Sequence, residues 1–160
     1  IVEDGKTFEH NALIKARTIA KKTKLIAISD DSGLEVDALG KKPGVYSARY
    51  AGEHATDEEN RKKLLKAMQN VPMSKRNARF VSAIAVVFPD GKEFVVRGIC
   101  EGMIGFEEKG KNGFGYDSLF IVKGYDKTFG EIPSVIKNSI SHRANALKLM
   151  KQGFIKRVVK

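Results

Sequence analysis

Asp30 and Asp31 stand side by side, with a hydroxyl and a glycine directly after them, in Ala27-Ile28-Ser29-Asp30-Asp31-Ser32-Gly33-Leu34-Glu35-Val36-Asp37. Adjacent side chains at a strand end point in different directions, so the two acids need not serve one site. One can face a cavity while the other accepts backbone hydrogen bonds. Gly33 allows a sharp turn or the close approach of a ligand to the backbone. The same four residues also suit an Asx-type turn, in which Asp and Ser bond nearby N–H groups.

Two further constellations carry chemistry. Gly113-Phe114-Gly115-Tyr116-Asp117 puts exposed N–H groups and an aromatic face into one loop. A flat base would stack on such a ring while the backbone and Asp117 address its edge. A hairpin-like turn with Phe114 tucked inward is the alternative. Ser141-His142-Arg143 opens a helical pattern, where N-terminal N–H groups and an arginine fork favour an oxygen acceptor or an anion. Lys137, four residues upstream of Ser141, adds another donor. A capping serine followed by two solvated residues would look the same. His142 has no neighbouring Cys or His to suggest zinc, and no strained Gly-x-Ser-x-Gly elbow points to a serine hydrolase.

The elements that must position these groups read as follows. Thr7 caps a helix running to about Lys22, with Phe8, Ala12, Ala16, Ile19 and Ala20 as its apolar stripe. A short buried strand, Leu25 to Ile28, delivers the acidic pair. Thr56-Asp57-Glu58-Glu59 is a capping box opening a helix that buries Leu64, Leu65 and Met68. Ala78 to Phe88 is apolar almost throughout, as expected of a strand covered on both faces. Pro89-Asp90-Gly91-Lys92 turns it back into an antiparallel partner, Glu93 to Glu101. Leu119 to Val122 is a further strand, and Gly124 to Ser139 reads as irregular. Ser141 caps a last helix that turns Ala146, Leu147 and Met150 inward. This order predicts an α/β fold with a mixed sheet flanked by helices.

Composition narrows the class. The 160 residues, 42% hydrophobic, suffice for one domain with a core. No apolar run approaches the ~20 residues of a membrane helix. The N-terminus resembles no signal peptide, and the missing initiator Met suggests a chain that begins inside a longer one. A single cysteine, Cys100, suits a reducing cytoplasm and reads as core. The net charge of +10 raises the expectation of an anionic partner. The basic residues are spread along the whole chain, however, so a solubilising surface explains them better than a nucleic-acid groove.

The acidic string through Gly40, with Pro43-Gly44-Val45-Tyr46-Ser47-Ala48-Arg49-Tyr50 after it, closely resembles the inosine/xanthosine triphosphate pyrophosphatase family. Gly113-Phe114-Gly115-Tyr116-Asp117 and Ile140-Ser141-His142-Arg143-Ala144 resemble its other two signatures, in the same order. The resemblance implies an ITPase-like (Maf/Ham-type) fold over residues 1–160 as a single domain. It implies hydrolysis of the non-standard purine nucleotides ITP, dITP and XTP to the monophosphate and pyrophosphate with Mg²⁺, by a cytoplasmic homodimer. By the same resemblance Asp31 is the catalytic carboxylate and a metal ligand, and Glu3 the second ligand. Ser32 contacts substrate, Phe114, Gly115, Tyr116 and Asp117 form the base loop, and Lys137, His142 and Arg143 supply the remaining nucleotide contacts. Discrimination would rest on the 6-oxo group, an acceptor where adenine carries a donor.

Three features depart from the family pattern. Ser118 stands where Pro usually follows Tyr-Asp, Val2 occupies a position often acidic, and the chain starts after the family's first strand and Thr/Ser-x-Asn-x-x-Lys loop. The chain thus looks truncated at its N-terminus relative to the family. Two rival readings differ in what they predict. A basic nucleic-acid-binding module would bind DNA in a salt-sensitive way without nucleotide turnover. A catalytically inactive remnant would bind nucleotides only.

Overall fold

In the computed structural model, which describes residues 1–158, Thr7 starts the first helix as expected. Its hydroxyl accepts the His10 N–H at 3.0 Å, and α1 runs Phe8–Thr23. Strands follow at Ala27–Val36 (β1), Lys42–Pro43 (β2), Asn77–Val87 (β3), Glu93–Ile104 (β4) and Phe120–Val122 (β5). Helices occupy Asp57–Met68 (α2), Ser134–Ile140 (α3) and His142–Val158 (α4). The strands hydrogen-bond in the order β2-β1-β3-β4-β5, with β1–β2 and β4–β5 antiparallel. The expected α/β fold with helices flanking a sheet is present. No helix among the described residues is long and apolar enough to cross a membrane.

The chain divides into two compact units, and β1, β3 and β4 each contribute residues to both. The first comprises Ile1–Ser32, Val81–Ile99 and His142–Lys160. Here α1 buries Phe8 and then, at a spacing of four, the small residues Ala12, Ala16 and Ala20. Ile19, one turn from the helix end, stays exposed instead. The β3 residues of this unit are buried without a break, which confirms a strand covered on both faces. On β4, Gly98 is required by contact: a Cβ there would collide with the His142 carbonyl and the Ala146 backbone. That close approach puts Ala146 in the interface and leaves Leu147 exposed, contrary to expectation. Phe88 and Phe154 stack with centroids 5.9 Å apart, and Arg157 lies 4.2 Å over the Phe94 ring.

The second unit, Gly33–Phe80 with Cys100–Ser141, holds a core of Leu34, Leu64, Met68, Phe80, Phe120 and Phe129, among others. The Phe80 and Phe120 rings are 4.5 Å apart at a tilt that suits aromatic quadrupoles. Cys100 is core, as expected, and burial pushes its thiol up to about 11. The capping box of α2 is complete, with Thr56 and Glu59 each satisfying the other's N–H. Residues 134–140, read as irregular, form α3. It has no buried residue, so no apolar period announces it.

The most buried charge in this unit is Arg76, 1% exposed. Its guanidinium donates to the carbonyls of Ile104, Met68, Val71 and Gly105 at 2.7–2.9 Å and lies 4.1 Å from the Phe106 ring centre. Desolvation pushes its pKa below the ordinary arginine value. The four acceptors join the end of α2 to the end of β4. Arg76→Met keeps much of the volume but leaves these carbonyls without their donor. At about 1–3 kcal/mol for an orphaned buried acceptor, it should cost about 3 kcal/mol or more, read from the urea midpoint. A loss under about 0.5 kcal/mol would show that water replaces the guanidinium freely.

Candidate active site

The acidic pair does not end a strand. Asp30 and Asp31 lie inside β1, a ten-residue strand, so the alternative of an Asx turn is not realised and Gly33 is a buried strand residue. The apolar run before them is not the buried strand it was expected to be, since Leu25 and Ile28 are exposed.

Strand alternation then separates the two carboxylates. Asp30 meets α4: the Arg143 guanidinium donates to its Oδ2 at 3.0 Å. Ser32, two residues on and on the same face, lies 3.3 Å from the same guanidinium nitrogen. Asp31 meets α1, where Asn11 donates to its carboxylate. Asn11 is buried and its Oδ1 already accepts the Gly5 N–H at 2.8 Å, which leaves its amide NH₂ to face the acid. Lys15, one turn further along α1, lies 3.1 Å from Glu3 Oε1 and donates to the Asp30 carbonyl.

Asp31 is half-buried, and its Oδ2 is buried without a hydrogen-bond donor. Burial raises its pKa above the usual carboxylate value. The Asn11 bond and the Lys15 ammonium oppose that, while Glu3 and Asp30 reinforce it. A buried carboxylate oxygen without a donor is an atom that a cation would satisfy. Glu3 and Asp31 make a two-carboxylate set, and no group of three or more His, Cys, Asp or Glu able to hold a metal occurs among the described residues. Two carboxylates fit Mg²⁺, which keeps waters and phosphate oxygens as its other ligands, and do not fit a closed zinc site.

The glycine-aromatic loop belongs to the second unit. Gly113 and Gly115 have φ of +74° and +59°, conformations that favour glycine, and they flank a Phe114 that is 67% exposed. Phe114 is therefore not tucked inward. Asp117 is buried within the loop, where its Oδ2 accepts the Phe114 N–H at 3.0 Å and the Lys137 ammonium at 2.6 Å. A Cβ on Gly113 would strike that same oxygen. Lys137 also lies 4.9 Å over the Phe114 ring. Tyr116 is buried, and its hydroxyl donates to the Ser47 carbonyl at 2.7 Å, so it anchors the loop. Gly115 is held from α2, its N–H donating to Asp57 and its carbonyl accepting from Arg61.

Of the residues singled out from sequence, Glu3, Asp31, Ser32, His142 and Arg143 belong to the first unit. Phe114, Gly115, Tyr116, Asp117 and Lys137 belong to the second. Ser141 precedes α4 with an extended backbone, and His142 is its first residue. Asn11, Lys15, Asp57 and Arg61 were missed. The four-residue spacing of Asn11 and Lys15 on a helix just before an acidic strand was the available signal.

Comparison with known proteins adds a family. The model of the Ham1 family matches residues 1–153. The chain is 55% identical over 148 residues to a dITP/XTP pyrophosphatase of Bacillus licheniformis, covering 92% of this chain and 76% of that protein. It is 51% identical over 148 residues to the Bacillus subtilis dITP/XTP pyrophosphatase, covering 92% and 75%. Among solved structures, a HAM1 protein from Coxiella burnetii superposes with TM-score 0.92 at 44% identity, over 98% of this chain and 80% of that one. The Staphylococcus aureus Ham1 protein gives TM-score 0.92 at 45% identity with the same coverage, 98% and 80%.

The raised pKa of Asp31 makes a stability prediction. The native state holds this proton more tightly than the unfolded chain does, so stability falls as pH rises from the unfolded value, about 3.9, through the folded one. Asp31→Asn should therefore melt no lower than the parent near neutral pH, about pH 7, and the difference should shrink toward about pH 4. Thermal melts across that range test this. A clearly lower melting temperature for the variant at neutral pH would mean that ionised Asp31 stabilises the fold.

Proposed function

The chain belongs to the Ham1 family, and from that membership we propose that it is a pyrophosphatase of non-standard purine nucleoside triphosphates. ITP, dITP and XTP are converted to the monophosphate and pyrophosphate. The observation that carries this reading is the Asp31 carboxylate, buried on one oxygen with no donor and raised in pKa, at the motif shared with the family. The dITP/XTP pyrophosphatases that are about half identical to the chain support the choice of substrate.

Water attacks the α-phosphorus and the bond to the β-phosphate breaks. Asp31 orients that water and accepts its proton, for which a raised carboxylate pKa is suited. Glu3 and Asp31 would hold Mg²⁺, which supplies neutralisation of charge on the phosphate oxygens. Lys15 holds Glu3 in place and lowers the charge cost of gathering acids there. Arg143, fixed in direction by Asp30 and Ser32, and His142 donate to the 6-oxo group, for which adenine has no acceptor. In the second unit, taken by itself, the exposed Phe114 presents an open ring face on which a flat base can stack, and Asp117 acts through Lys137 and the loop's shape.

Two further proposals accompany this reading. The enzyme is a homodimer, a reading supported by the family resemblance. Light scattering should then give twice the mass of the chain, and a monomer at micromolar concentration would overturn it. It works in the cytoplasm, where its buried free thiol at Cys100 would stay reduced.

Pyrophosphate release should be at least about a hundredfold faster from ITP or XTP than from ATP, whose 6-amino group meets donors with a donor, since polar mismatch discriminates strongly. It should stop when divalent ions are chelated, and Asp31→Asn should lose nearly all kcat. Equal rates on ATP, or orthophosphate as the first product, would refute the assignment.

A further inference from the structure

Arg61 and Glu108 converge on the loop that carries Phe114. Gly115, next to the exposed ring, has both backbone groups engaged by α2. Its N–H donates to Asp57 Oδ2 at 3.0 Å and its carbonyl accepts from Arg61 Nη1 at 2.9 Å. Asp57 and Arg61 are four residues apart, hence on one face of the helix. The complete capping box at Thr56 fixes the turn from which Asp57 projects. Arg61 is held in turn: its Nε lies 2.6 Å from Glu108 Oε1, an ion pair in which the N–H points off the line of contact. The same Glu108 oxygen accepts the Ser118 hydroxyl at 2.9 Å.

A closed circuit results, from Gly115 through Arg61 and Glu108 to Ser118 at the other end of the loop. Ser118 leaves the backbone free and contributes a hydroxyl to Glu108. We propose that Arg61, together with Glu108 and Ser118, is a positioning device that holds the Gly113–Asp117 loop in its base-stacking shape by side-chain bonds. Gly115, at φ +59° and with open space where a Cβ would stand, has no packing of its own to fix it. The circuit is partly exposed, with 21% of the Arg61 and 40% of the Glu108 side chain accessible, so it tunes the loop without building the core.

This inference rests on the loop being the purine site. The test measures IMP binding by calorimetry, ITP steady-state kinetics and inhibition by inorganic tripolyphosphate, which has no base. Arg61→Leu should weaken IMP binding and raise KM for ITP by about tenfold, the lower end for loss of a charge-assisted bond, with kcat within about twofold. Inhibition by tripolyphosphate should not change. Arg61→Lys should recover part of the loss, because an ammonium can still pair with Glu108 but lacks the fork that also reaches Gly115. Ser118→Ala should have a small effect in the parent and none in Arg61→Leu, the non-additivity of a shared circuit. Unchanged IMP affinity in Arg61→Leu, or an equal loss for IMP and tripolyphosphate, overturns the positioning role while leaving the pyrophosphatase reading intact. A parent protein that turns over ITP no faster than ATP and does not bind IMP overturns both.

Discussion

An extended backbone turns successive side chains to opposite faces, and the first unit is arranged around that constraint. Because β1 continues unbroken through the acidic pair, Asp30 and Asp31 cannot share a partner. Asp30 and Ser32, two residues apart, both meet Arg143 of α4. Asp31 is left to α1, whose Asn11 donates to it and whose Lys15 holds Glu3 close by. Each helix must therefore bring its own polar residue to the strand. The Thr7 cap sets the start of α1. The approach of α4 is set by Gly98, where any side chain would push the helix away.

The second unit meets a different constraint. Its Gly113–Asp117 segment is a loop with no ladder to satisfy its backbone, so its N–H and C=O groups take partners from elsewhere. Side chains supply them: Asp117 takes the Phe114 N–H, Asp57 the Gly115 N–H, and Arg61 the Gly115 carbonyl. Arg76 performs the same service deeper in, where four carbonyls at element ends converge on one planar fork. Arginine suits this task because its five donors lie in one plane and it is less strongly hydrated than an ammonium.

Much of this was readable from the chain because it is written locally. The caps at Thr7 and Thr56, the doubly covered strand and the hairpin at Gly91 depend on short-range chemistry, and all four are present. The three glycine, acid and basic motifs identified the family without the fold. What escaped was long-range or patternless. The end of the first strand was misplaced because polar residues within β1 interrupt the apolar run, and their partners lie on helices distant in sequence. α3 escaped because it buries nothing. Leu147 was turned inward by its hydrophobicity, whereas the contact at Gly98 is decided by backbone proximity, which periodicity does not encode. Asn11 and Lys15 read as ordinary helix residues until the strand is laid beside them.

The division of labour between two chemically identical side chains follows from the same geometry. Asp30 has a guanidinium 3.0 Å from its Oδ2, so its charge is balanced by an opposite one. Asp31 accepts from a neutral amide and keeps one oxygen in a buried place with no donor, so lone pairs remain for a cation or a water. Burial without full pairing costs stability in the protein alone, and it is the kind of cost that a binding partner removes. Shifting the strand by one residue would exchange the partners and leave the chain with the same composition, the same motif and the wrong carboxylate free. Which carboxylate keeps an oxygen without a donor is thus specified less by Asp-Asp-Ser-Gly itself than by the register in which β1 presents it to α1 and α4.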